Sequence, residues 1–255
     1  MNAKTIDDVI VFLDQIIEES KRESSFMGYF PALYRKVTIR IKEGIAKGEF
    51  EDGPRMELLD VHFANRYLDA YFRFKSDLPL TNSWGFAFEK TKNWWPLTLQ
   101  HLLWGINAHI NLDLGIAAVE TIGDQSIEGL KNDFDKINSV LAELVEEVQD
   151  ELSEIWPFLK VLLKLSGKLD NRLINFSMKL ARDGAWEFAE ELSLTLNNER
   201  ARVIANRDDR IAQIAEFVYP ANILVRILFG VIRIGLRKSV VKRIEILEEY
   251  LVASN

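Results

Sequence analysis

A chain of 255 residues with 39 acidic against 32 basic side chains carries a formal charge of −7, which excludes nucleic acid as a general partner. It has no cysteine, so disulfides and thiolate metal centres are excluded and any metal would have to be held by His, Asp and Glu. At 48% hydrophobic and 28% charged, the composition is that of a folded globular protein with enough length for a large core.

Nearly every segment carries helical spacing, and no stretch alternates convincingly as a strand would. Thr5 followed by Asp7 and Asp8 reads as a helix start, with Ile6, Val9, Ile10, Phe12, Leu13, Ile16 and Ile17 on one face. A second helix is predicted from near Pro31 to Gly48, and Asp52-Gly53-Pro54 opens a third, running to about Phe74. Ser76 to Pro79 is a loop, and Thr81 to Trp94 a short helix or irregular cover. Pro96 opens a fifth helix that should reach about Thr121, before Gly123. Long helices follow over Asn132 to Trp156, Lys168 to Leu196, Glu199 to Val218 and Pro220 to Leu251. The reading is all-α, a single-domain bundle of about eight to ten helices spanning 1–255. The N-terminus lacks the basic start and apolar run of a secretory signal. The most apolar stretch, Ile223 to Ile234, is interrupted by Arg226 and Arg233, so a cytoplasmic protein is expected.

All three histidines lie on two of these helices. Leu99 to Leu114 is apolar nearly all round yet carries His101, His109 and Asp113. At about 100° per residue, with His101 at zero, Gly105 falls near 40°, His109 near 80° and Asp113 near 120°. Gly105, lacking a side chain, lets another group approach between the two histidines. Gln100, Asn107 and Asn111 form a separate stripe. On the third helix, His62, Asn65, Arg66 and Asp69 share a polar stripe on an otherwise apolar rod. If the two stripes face each other, they enclose a polar pocket inside the bundle.

Three readings of that pocket stand together. In the first, His101, His109 and Asp113 bind one divalent ion (zinc, iron or manganese), with His62 as ligand or general base, Arg66 as anion anchor and Asp69 as orienting partner. In the second, the pocket takes a small polar ligand without metal. In the third, the same residues form a buried hydrogen-bond network that fixes helix register, with Arg66 neutralising Asp113 or Asp69.

The stretch Gln100-His101-Leu102-Leu103-Trp104-Gly105-Ile106-Asn107-Ala108-His109-Ile110-Asn111-Leu112-Asp113-Leu114, with Phe63-Ala64-Asn65-Arg66-Tyr67-Leu68-Asp69-Ala70, resembles a family of bacterial and fungal domains of unknown function. That family's signature is an LQHLLLGMNAHINLDLG-like helix, and the resemblance covers roughly residues 26 to 250. It implies the fold and the place of a site, not a reaction. A looser similarity, through the HxxxD pair His109 and Asp113, is to the all-α zinc phospholipase C and P1-type nucleases. Three histidines are too few for their trinuclear centre.

From these features the expected activity is that of a metal-dependent hydrolase acting on a small or lipid-like anionic substrate. The competing expectation is a non-catalytic helical binding or scaffold protein. Residues 222–244 carry Arg226, Arg233, Arg237, Lys238, Lys242 and Arg243 without an acidic residue. They form either a membrane-facing basic helix or a packing helix paired with the acidic 143–154 segment, and the second is favoured because Glu245, Glu248 and Glu249 follow at once.

Overall fold

A computed structural model describes residues 2–137, 178–219 and 238–249 and the single positions 227, 229, 230 and 233. Among the described residues there are no strands. The chain begins with α1 (Ile6–Glu23), whose start follows from a reciprocal cap: Thr5 Oγ1 accepts from Asp8 N–H at 3.1 Å and Asp8 Oδ2 accepts from Thr5 N–H at 3.0 Å. Of the apolar face read from the sequence, Ile6, Val9, Leu13, Ile16 and Ile17 are buried and Ile10 and Phe12, at its edges, only partly so; the helix packs on α2 (Tyr29–Ala46). The second helix begins two residues ahead of Pro31, which therefore sits in the first turn, where its missing N–H leaves no helical bond unmade.

Two buried aspartates cap helices from across the fold. Asp133 accepts from the backbone N–H groups of Glu51 (2.7 Å) and Asp52 (3.2 Å) and from Arg55 Nη2 (2.9 Å), fixing the start of α3 (Gly53–Lys75). Asp208 accepts from Asn82 N–H (2.6 Å), Ser83 N–H (2.9 Å) and Ser83 Oγ (2.6 Å) at the start of α4 (Asn82–Thr91). A carboxylate at a helix N-terminus meets both the free N–H groups and the positive end of the dipole.

The centre of the molecule is one 25-residue rod, Thr98–Ile122. It is not one uniform helix: α5 (Thr98–Ala108) passes into a π-helical turn, His109–Asp113, and then into α6 (Leu114–Ile122). In that turn Leu114 N–H donates to His109 O, the five-residue bond of a π-helix. By length and composition the rod could cross a bilayer, a property the sequence reading had not assigned to any segment; here nearly all of it is buried by surrounding helices. Helix α3 covers one side of α6. The other side receives α7 (Met178–Leu194), where a Cβ on Gly115 would stand 2.6 Å from the Phe188 ring and 3.1 Å from Ala185 O.

The stripe of Gln100, Asn107 and Asn111 has a structural use. Gln100 Nε2 donates to Val218 O (3.2 Å), Trp104 Nε1 to Ala215 O (3.0 Å) and Asn107 Nδ2 to Ile211 O (3.0 Å), latching the rod to α8 (Asn197–Glu216) and the turn after it. Arg207 on α8 returns a bond from Nε to Asn111 O, inside the π turn, at 3.1 Å. Helix α9 (Val240–Glu248), begun by the Ser239 cap, packs on α2. Of the helices expected between α6 and α7, residues 131–137 are helical; the rest of the 132–156 helix, the start of the 168–196 helix and the acidic 143–154 segment lie outside the described residues.

Candidate functional site

Asp113, at the end of the π turn, is 1% exposed and collects three donors. Trp84 Nε1 on α4 donates to Oδ2 at 2.7 Å and Arg66 Nε on α3 to Oδ1 at 3.3 Å; His109 Nδ1 lies 3.2 Å from Oδ2. The carboxylate thereby ties α3, α4 and the rod together at one point. It also selects the His109 tautomer, since only a protonated Nδ1 can donate to it. Burial holds the His109 pKa below its ordinary value; Asp113 opposes that shift and Arg66 adds to it. His109 is thus neutral at neutral pH.

The other face of His109 is closed. Its ring stacks on Phe63 at 3.5 Å between centroids, and Phe30, Tyr34, Tyr67 and Trp84 complete the cage. Nε2 is buried without a hydrogen bond, so it has no path to a substrate as base or acid.

His101 sits in a different nest, against Phe26, Tyr29 and Trp104, and neither ring nitrogen has a hydrogen bond. The two histidines share no ring neighbour because Phe30 fills the gap that Gly105 leaves: a Cβ at Gly105 would stand 2.4 Å from Phe30 Cδ2 and 2.7 Å from Cγ. The sequence places a close approach at Gly105, and the approaching group is an aromatic wedge. Gly105→Ala should therefore cost about 1–3 kcal/mol of stability, because Phe30 is held against Tyr34, Tyr67, Trp84 and His109, and a shifted midpoint in denaturant titration checks this.

The remaining candidates separate further. His62 Nδ1 lies 3.6 Å from Glu120 on α6, both partly exposed. Asp69 is exposed, with Arg73 Nε at 3.9 Å. The expected set of His101, His109 and Asp113 with His62 and Asp69 in support is thus parted: only His109, Asp113 and Arg66 meet. Among the described residues no group of three His, Asp or Glu side chains is placed to hold a metal ion, and the donors do not fit the divalent centre expected from the sequence.

Outside Asp113 the protein opens into a cavity of about 380 Å³. Arg66, Asp69 and Arg73 of α3, Trp84, Asp113 and Asp208 form its polar wall. Leu80, Ile204 and the alanines of α8 supply an apolar one. Arg66 and Asp113 belong to both the buried triad and the cavity wall, and of the two Arg66 is the accessible one, with a side chain 30% exposed against 1%. Sequence reasoning missed Arg73 and Asp208. Arg73 has a signal, at seven residues from Arg66 on the same helix face; Asp208 has none, being 125 residues from the serine it binds.

No curated protein and no solved structure matches the chain, and the looser similarity to zinc phospholipase C is not confirmed. The family expected from the rod and the α3 stripe is found, over residues 6–220 rather than the 26 to 250 expected. With its helical fold and signature rod described, the chain belongs to DUF5995, a family of unknown function.

Proposed function

We propose that this protein binds a small organic carboxylate in the cavity beside α3 and α8, with Arg66 as the anchor. The observation that carries the reading is the state of Arg66. Its Nε is held by the buried Asp113 carboxylate, and no partner for its two Nη groups is found among the described residues, while the side chain lines a cavity large enough for a metabolite. A guanidinium fixed in advance loses little side-chain entropy when it takes a planar carboxylate.

The walls favour a ligand of low net charge. Arg66 and Arg73 face Asp69, Asp113 and Asp208, so a carboxylate that also carries a hydrogen-bond donor, as an amino acid does, matches the cavity better than a dianion. The hydrolase expected from the sequence depends on a metal held by His101, His109 and Asp113. With those donors parted by Phe30, the site is read as a binding site, and Arg66 keeps the anion-anchoring role expected of it.

The test is a thermal-shift panel of the twenty amino acids and of simple monocarboxylates, run on wild type and Arg66→Gln. At least one probe should raise the wild-type melting temperature in a saturable way, and Arg66→Gln should remove the shift. No shift with any probe, or a shift that survives in Arg66→Gln, contradicts the reading.

A further inference from the structure

At the start of the rod, beside Trp94 and Thr98, two arginines beyond the family-matched residues are turned into the protein. Arg233 is 3% exposed and Arg243 5% exposed, and among the described residues neither pairs with a carboxylate. Arg233 donates Nε to Trp94 O at 2.5 Å and lies over the rings of Trp94 (4.6 Å) and Phe26 (5.1 Å). Arg243 donates Nε to Lys238 O at 3.0 Å and Nη1 to Thr98 Oγ1 at 3.4 Å. These are neutral acceptors and ring faces. Two buried cations without a counter-charge are costly, by several kcal/mol each in ordinary protein interiors.

Orphaned polar atoms converge on the same place. Phe26, which carries Arg233 on its face, stacks on His101 at 5.2 Å and on Tyr29 at 5.9 Å. Both His101 nitrogens are buried without a hydrogen bond, and the buried Tyr29 hydroxyl has only Thr98 beside it. Both arginines act electrostatically on both groups: with burial they hold His101 down to about 3, and they oppose the upward push of burial on Tyr29. A neutral imidazole N–H, a phenol O–H and two guanidinium groups are all donors, and an anion is the ligand they have in common.

We propose that Arg233, Arg243, His101 and Tyr29 form a binding site for an oxyanion of the phosphate or sulfate class, roofed by Trp94. The ring of Trp94 is 52% exposed while its face covers the Arg233 guanidinium, which sets the entrance there. The site is built jointly: Tyr29, Thr98 and His101 belong to the family-matched core, and the two arginines come from the C-terminal segment outside it. Of the basic residues in 222–244, these two face inward and are not available to a membrane surface, whereas Lys242 is exposed. The proposal rests on residues separate from the Arg66 cavity and stands or falls independently of it.

The experiment is calorimetric titration of the full chain with inorganic phosphate, against sodium chloride at matched ionic strength, alongside co-sedimentation with vesicles containing phosphatidic acid. Tyr29→Phe is the first variant, because it keeps the buried ring and removes a single hydroxyl, so the fold should be retained. It should weaken phosphate several-fold, and Arg243→Gln should weaken it by about tenfold or more, as expected for a lost charge-assisted pair. Arg66→Gln should leave phosphate binding unchanged. Binding of free phosphate identifies a soluble oxyanion; binding of the vesicles alone identifies a lipid headgroup. Absence of saturable binding to either, or binding that neither variant weakens, overturns the proposal.

Discussion

Asp113→Ala should destabilise the protein by about 3–4 kcal/mol, a fall in melting temperature of roughly 10 °C for a chain of this length. The size follows from what the carboxylate holds. Its removal leaves the indole N–H of Trp84 unpaired in the interior and releases Arg66 Nε, the group that joins α3 to the rod. His109 is less affected, because a neutral imidazole can shift its proton. Asp113→Asn keeps the shape and one acceptor and should cost about half as much. A double-mutant cycle with Trp84→Phe separates the indole bond from the rest: the two losses should be strongly non-additive. Additive losses would mean that Trp84 and Asp113 act independently, against the observed 2.7 Å contact.

Asp60→Asn should stabilise the protein at pH 7 and above by about 2–4 kcal/mol and steepen the rise of stability with pH between about 4 and 6.5. Asp60 is buried on α3, and Oδ2 has no hydrogen bond. Burial, with the Glu57 charge adding to it, raises its pKa to about 7. A carboxyl raised in the folded state binds a proton there that the unfolded chain has already lost. Its contribution is therefore fully present below about pH 4 and is lost as the pH rises through about 7. His101 acts in the opposite sense. Held down to about 3, it contributes stability that is present above its unfolded value of 6.5 and is lost as the pH falls toward 3. Between pH 4 and 6.5 the two slopes oppose each other in the wild type. In Asp60→Asn only the histidine slope survives, reinforced by His109, so stability should rise steadily across that window in urea titrations at successive pH values.

The fold was legible because helix signals are local. The Thr5 cap, the Asp52-Gly53-Pro54 start and the apolar periods of α1, α3 and the rod all lie within a few residues of what they control. The aspartate caps were not legible, since Asp133 and Asp208 act on N–H groups 81 and 126 positions away. The site was half legible. An i, i+4 pairing of His109 with Asp113 follows from helical spacing, and the π turn between them preserves it. Arg66 meeting Asp113 follows from facing stripes. His101 shares the same sector of the rod, but angular position on a helix says nothing of what a neighbouring helix inserts between two residues. Here Phe30 occupies the space and sends the two histidines to separate nests. The outward placement of His62 and Asp69 has a related cause: a stripe wide enough to carry four polar residues has edges, and the edges face solvent.

The side-chain Nε–H signal of Arg66, assigned by comparison with Arg66→Lys in an arginine-resolved NMR spectrum, reports on the anchor itself. Titration with the amino acid that gives the strongest thermal shift should find this proton already protected and displaced from the exposed arginines before ligand is added. It should then move in proportion to occupancy. An Arg66 signal that coincides with those of the freely solvated arginines and stays fixed throughout the titration would show that Asp113 does not pre-position the guanidinium and that no ligand is held there.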